Sequence, residues 1–169
     1  NERVFKIARL AMLLALATSI HSLEAAAPVT LGWFKFGFAN IVGLTTLLIF
    51  GFKDAFYVTI GRIFLGSLIS GTLGSPAFFL ALSGGIVSII LMGLASAVDR
   101  RYLSEIGLSV IGAVSHNMAQ LCAAYLIIVR NDTIFLLAPY MALAATATGI
   151  INGLACRYLT ASLKRQWTT

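Results

Sequence analysis

The chain has 169 residues, 59% of them hydrophobic and only 11% charged, with a mean hydropathy of +0.94; soluble domains carry about 25% charged residues, so a soluble globular fold is excluded. The net charge of +6 comes from 12 Lys and Arg against 6 Asp and Glu, but no aromatic-interleaved basic patch accompanies it and nucleic-acid binding is not indicated. Long uninterrupted apolar runs also exclude a transmembrane barrel, whose strands alternate over about ten residues, and helices remain as the way to satisfy the backbone in lipid.

About 20 apolar residues of helix span a hydrocarbon core of about 30 Å. The apolar runs divide into six predicted helices near 6–24, 36–52, 55–73, 76–98, 105–129 and 133–160. The predicted fold is an all-α integral membrane protein, a compact six-helix bundle forming one transmembrane domain over 1–169, with the lipid bilayer as its solvent.

The first predicted helix follows Arg3, Lys6 and Arg9 like the start of a signal peptide, but it is long and ends in His21 and Glu24. It reads as a retained helix. The chain starts at Asn1 rather than a methionine, so a few preceding native residues are expected. Ala8, Ala11 and Ala15 recur at three- and four-residue steps and leave a smooth stripe. Such a stripe serves either the approach of a partner's helix or packing inside the same bundle. His21 and Glu24 share a face, and with Trp33, Lys35 and Asn40 they are predicted to converge at the outer mouth. An interfacial belt of Trp and Lys has the same appearance.

The second and third helices are short and Gly-rich. Lys53-Asp54 is the weakest boundary, and a five-helix division stays open. Arg62 stands nine residues beyond Lys53, about 13 Å into the membrane, where an arginine costs roughly 2.5–3.5 kcal/mol. It should face inward and have an acceptor. Three readings fit: an anionic group of a solute, for which the guanidinium fork is suited, a structural pair with a carbonyl or carboxylate in the bundle, or snorkelling towards the cytoplasmic face.

In the fourth helix Gly84, Gly85, Ser88 and Met92 read as packing positions, as do Gly149, Asn152 and Gly153 in the sixth. In the fifth, His116, Asn117 and Gln120 lie within an arc of about 100° continued by Gly112 and Ala113. This stripe either lines a solute site or bonds neighbouring helices at about 0.6 kcal/mol per bond.

The six-helix topology collects Arg3, Lys6, Arg9, Lys53, Arg100, Arg101, Arg157, Lys164 and Arg165 on one side and leaves Lys35 and Arg130 on the other. The positive-inside rule then places both termini in the cytoplasm. Cys122 and Cys156 fall towards opposite faces and cannot pair. The two histidines have no second ligand at metal spacing. There is no phosphate-binding loop, nucleophile elbow or zinc-protease motif, and the three aspartates, Asp54, Asp99 and Asp132, are scattered. Neither catalysis nor a cofactor or metal is expected.

The segment Lys35-Phe36-Gly37-Phe38-Ala39-Asn40, Arg62 with Gly66 and Ser67, Ser83-Gly84-Gly85 with Ser88 and Met92, and Ser109 with Gly112-Ala113 and His116-Asn117-x-x-Gln120 together resemble the family labelled heptaprenyl diphosphate synthase component I, also called the Gx transporter family. The likeness runs from about His21 to about Gln120. That family is similar in turn to the S-components of energy-coupling-factor (ECF) uptake transporters. The resemblance implies a bacterial cytoplasmic-membrane subunit that captures a small-molecule solute, with Glu24, Lys35, Asn40, Arg62, His116, Asn117 and Gln120 as substrate-binding candidates. It also implies that Ala8, Ala11 and Ala15 dock on a transmembrane coupling subunit joined to two ATPase subunits. The alternative is a non-catalytic accessory subunit in isoprenoid or quinone synthesis or an associated redox complex. A synthase would need aspartate-rich motifs to hold metal and diphosphate, and the chain has none.

Overall fold

In the computed structural model, residues 2–26, 37–98 and 103–167 are described. Among them are six α-helices: α1 Glu2–Ala26, α2 Ala39–Phe50, α3 Phe52–Ile69, α4 Pro76–Ala97, α5 Glu105–Ala124 and α6 Ala138–Trp167. A π-helical turn, Tyr125–Val129, extends α5, and a 3-10 turn, Asp132–Leu137, leads into α6.

Local chemistry accounts for several boundaries. Ser75 is extended and its hydroxyl accepts the Phe78 N–H at 3.4 Å, with Pro76 at the first helical position of α4. Ser104 caps α5 in the same way through Gly107, at 3.2 Å. Both serines satisfy an N–H that the first helical turn leaves without a partner. Between α2 and α3 the chain reverses at Gly51, whose φ of +92° and ψ of 180° belong to a region that only glycine enters readily.

That turn decides between five and six helices. Asn40 meets Arg62 and Gly43 lies against Thr59, so α2 and α3 run antiparallel as a hairpin. The break falls at Gly51 rather than at Lys53-Asp54, which lie in the first turn of α3. The second predicted helix shortens from 36–52 to Ala39–Phe50, and the third moves from 55–73 to Phe52–Ile69. The last runs on to Trp167, because Lys164 and Arg165 sit at a helix C-terminus, where positive charge is favoured.

The bundle is apolar on its surface as well as in much of its core, where Leu44, Ile63, Ile89 and Leu108 are buried. Large apolar side chains such as Ile69, Leu94, Leu136 and Leu143 point outward, while Thr45, Thr46, Thr59, Ser67, Ser88 and Asn152 are buried. Some interior hydroxyls find acceptors one turn back: Thr46 donates to the Val42 carbonyl at 2.7 Å, and Thr148 to that of Ala144 at 3.1 Å. Four helical segments, Glu2–Glu24, Pro76–Ala97, Glu105–Val129 and Asp132–Trp167, are long and apolar enough to cross a bilayer. At 12 residues α2 is about 18 Å long, short of a full crossing. This is an all-α membrane bundle.

Both described ends of the chain lie at one end of the bundle. Lys6 pairs with Asp54 at 2.7 Å, Arg9 donates to the Trp167 carbonyl at 3.2 Å, and the Arg9 guanidinium stacks 5.0 Å from the Trp167 ring centroid. The start of α1, the α2–α3 turn and the end of α6 are thereby tied together. Cys122 is exposed, Cys156 is buried and both are free thiols; Cys156 lies 3.3 Å from the Thr45 hydroxyl.

Ala8, Ala11 and Ala15 are exposed along α1, in line with exposed Ser19. The stripe therefore faces away from the buried side of the bundle. The opposite face of α1, with Leu13, Ala17 and Thr18, is the buried one.

Candidate functional site

Arg62 is the centre of the polar interior. It is only 3% exposed, and one terminal nitrogen donates to Asn40 Oδ1 at 2.8 Å. The antiparallel α2–α3 hairpin brings these residues together across 22 positions of sequence. Among the described residues, Nε of Arg62 is a buried nitrogen with no hydrogen-bond partner. A buried charge with a donor left over is costly, which marks this position as one where a further acceptor gains most.

Around Arg62 lie His21 and Glu24 of α1, Gly37, Ala39 and Asn40 at the start of α2, Ala81 of α4, and His116 and Gln120 of α5. They enclose a cavity of about 30 Å³, room for one or two waters. The sixth helix contributes from behind: Asn152 Nδ2 donates to the Gly37 carbonyl at 3.3 Å. All six helices therefore meet at one polar point, in the half of the bundle opposite the described ends of the chain.

Glu24 has a defined structural task there. Its Oε1 accepts the Phe38 N–H at 2.8 Å, placing a carboxylate at the N-terminus of α2, where the helix dipole favours negative charge. Its charge also acts on the Arg62 guanidinium. Two glycines make the enclosure compact. A Cβ on Gly66 would collide with the His21 ring, and one on Gly84 would come within 2.8 Å of His116 and 2.9 Å of Gln120.

Of the residues singled out in sequence, Glu24, Asn40, Arg62, His116 and Gln120 line this one cavity. Asn117 is placed elsewhere: its Nδ2 donates to the Met141 carbonyl at 3.4 Å and ties α5 to α6. Lys35 and Trp33 lie outside the described residues. His21, Gly37 and Ala39, each named in the sequence, also line it, while Ile63 and Ala81 join without having been marked, since apolar side chains carry no chemical signal. Gly84, read as a packing position, packs against the His116 and Gln120 side chains and so forms a wall of the cluster. Gly149 and Gly153 sit against the α5 backbone at Val110 and Ile106, as packing positions do.

A second, larger cavity of about 620 Å³ opens beside the first. It is lined mainly by apolar side chains of α4, α5, the 3-10 turn and α6, including Leu80, Leu121, Ile134, Leu137 and Met141. Gln120 lines both cavities. Among the described residues, no group of three or more His, Cys, Asp or Glu side chains is placed to hold a metal ion.

A lipid-facing apolar exterior around a buried polar cluster defines a multi-pass α-helical membrane protein. The chain belongs to the family described as heptaprenyl diphosphate synthase component I, whose family model matches residues 13–159. No curated protein and no solved structure matches it.

Proposed function

We propose that the chain is a membrane subunit that captures a small solute and delivers it to an uptake machine, in the manner of an ECF S-component. The observation that carries this reading is the Arg62 cluster. Five helices line it and a sixth braces it, in the half of the bundle away from the basic end, and among the described residues Arg62 Nε has no acceptor. A purely structural arginine is more economically satisfied than this. With the basic end in the cytoplasm of a bacterium, the cluster faces the outer half of the membrane and meets solute arriving from outside.

The present cavity has room for only one or two waters, so capture requires the pocket to widen, and the short α2 with its single-residue hinge at Gly51 is the element built to shift. Glu24, Lys35, Asn40, Arg62, His116 and Gln120 are the proposed solute contacts, with Asn117 supporting them through α6. The exposed Ala8, Ala11 and Ala15 stripe is the proposed contact with a coupling subunit, and energy comes from two ATPase partners. The chain itself carries no catalytic role in this proposal.

A second reading is favoured by the family's description and by the apolar cavity: a non-catalytic accessory subunit that serves a prenyl-diphosphate synthase. Native mass spectrometry of the gently purified complex separates the two. Coupling and ATPase subunits with a small molecule released on unfolding support capture. A chain bound to a prenyl synthase, with no released solute, overturns it.

A further inference from the structure

The geometry points to an amphiphilic ligand, with a compact carboxylate head at Arg62 and an apolar body in the 620 Å³ cavity, joined past Gln120. This inference rests on the capture reading and names the chemical class of what is captured.

Size argues first. At about 620 Å³ the apolar cavity falls within the roughly 300–1,000 Å³ range of small-ligand sites, whereas the polar one at about 30 Å³ does not. A wholly polar solute would have to create its own space in the closed cluster while leaving the larger, preformed space unused. A ligand divided between the two needs only a head of one or two water volumes. A single carboxylate meets that limit; a diphosphate exceeds it.

Charge argues for the head. One terminal nitrogen of Arg62 is engaged by Asn40, and among the described residues Nε has no partner. Glu24, which lines the same cavity and whose charge acts on Arg62, is held by the Phe38 amide at the start of α2, and the N-terminus of that helix adds a partial positive charge that favours a further anion. An oxygen acceptor in the cavity completes the guanidinium. The mainly apolar lining sets the body's chemistry: Leu80, Leu121, Ile134 and Leu137 offer no donor, and the polar lining groups are Gln120, Thr133 and Tyr140. Continuity rests on Gln120. It is the residue common to both cavities, and its flexible side chain lies against Gly84, where no Cβ of α4 stands in the way.

The test uses the full chain in nanodiscs, titrated with hexadecanoate, hexadecanol and acetate, with binding read by native mass spectrometry. Hexadecanoate is expected to bind at least tenfold more tightly than hexadecanol, and acetate not measurably over the same range. Arg62→Gln is expected to remove the preference for hexadecanoate over hexadecanol. Ala77→Trp, at an exposed cavity-lining position of α4, is expected to lower hexadecanoate affinity at least tenfold. If Ala77→Trp fails to elute as a folded monodisperse protein, Tyr140→Ala at the same cavity serves as the second variant.

Equal binding of hexadecanoate and hexadecanol overturns the proposal, as does full competition by phosphatidylglycerol, which would make the cavity an ordinary lipid groove. A co-purified solute that is entirely polar, and insensitive to Ala77→Trp, overturns the amphiphile while leaving capture intact. Absence of any solute together with a bound synthase sinks the capture reading itself.

Discussion

Arg62 of α3 donates to Asn40 of α2 at 2.8 Å, and this bond ties the two arms of a helical hairpin at the point where the bundle is most polar. The bond is structural whatever else Arg62 binds. Hydrogen bonds to charged groups contribute about 1.5–3 kcal/mol, and removing the acceptor leaves a buried guanidinium further exposed to an apolar interior. Asn40→Ala is therefore expected to destabilise the protein by about 2–3 kcal/mol, measured by equilibrium unfolding in mixed micelles. Arg62→Met in the Asn40→Ala background is expected to restore part of that loss, since no charge is then stranded. A double variant less stable than Asn40→Ala alone would refute this account.

Gly84 is where α4 approaches the His116 and Gln120 side chains. A Cβ there falls within 2.8 Å of the His116 ring, and overpacking of this kind costs about 1–3 kcal/mol. Gly84→Ala is expected to lower stability by that amount, and His116→Ala in the same chain to recover most of it. Recovery by an unrelated core truncation, such as Ile89→Ala, is not expected; if it occurs, the contact is not specific.

Gly51 can be probed without any steric complication, because nothing lies within 4 Å of a Cβ built on it. Its φ of +92° with ψ of 180° nonetheless places a non-glycine residue in a region costing about 1–3 kcal/mol. Gly51→Ala is expected to lose that stability by differential unfolding, whereas Gly107→Ala, in the first turn of α5, is expected to be close to neutral. Equal effects at the two sites would show that the hairpin turn carries no strain.

The exposed stripe on α1 separates assembly from folding. Ala11→Trp and Ala15→Trp add bulk to a lipid-facing surface, where substitutions shift stability by within about 0.5 kcal/mol. On the capture reading, the folded protein should elute normally in detergent, while co-purification with the proposed coupling subunit should fall at least tenfold. Undiminished co-purification would mean that another face makes the contact.

Much of this molecule was legible before any coordinates, and the reason is that membrane insertion reads local composition. A helix in lipid must satisfy its own backbone and present apolar side chains over about 20 residues, so apolar runs announce helices directly. The same reasoning singles out Arg62, because an arginine far inside such a run is expensive enough to require a partner. Partners are another matter. Asn40 lies 22 residues from Arg62, and nothing in the intervening sequence states that the chain reverses at Gly51 rather than at Lys53-Asp54.

The stripe of His116, Asn117 and Gln120 shows where local reasoning stops. All three lie within an arc of about 100°, yet the packing of α6 turns Asn117 to the Met141 carbonyl while α4 and α3 keep His116 and Gln120 at the Arg62 cavity. The difference comes from which neighbour stands opposite each side of the arc. Likewise Ala8, Ala11 and Ala15 announce a close approach by their spacing, but only the position of α1 in the bundle turns them outward. The sequence by itself determined that this is a helical membrane protein with a costly polar interior, because transfer into lipid is a property of each segment alone. Only the tertiary structure decided which polar groups meet and which face is left free, because those depend on contacts between segments far apart in the chain.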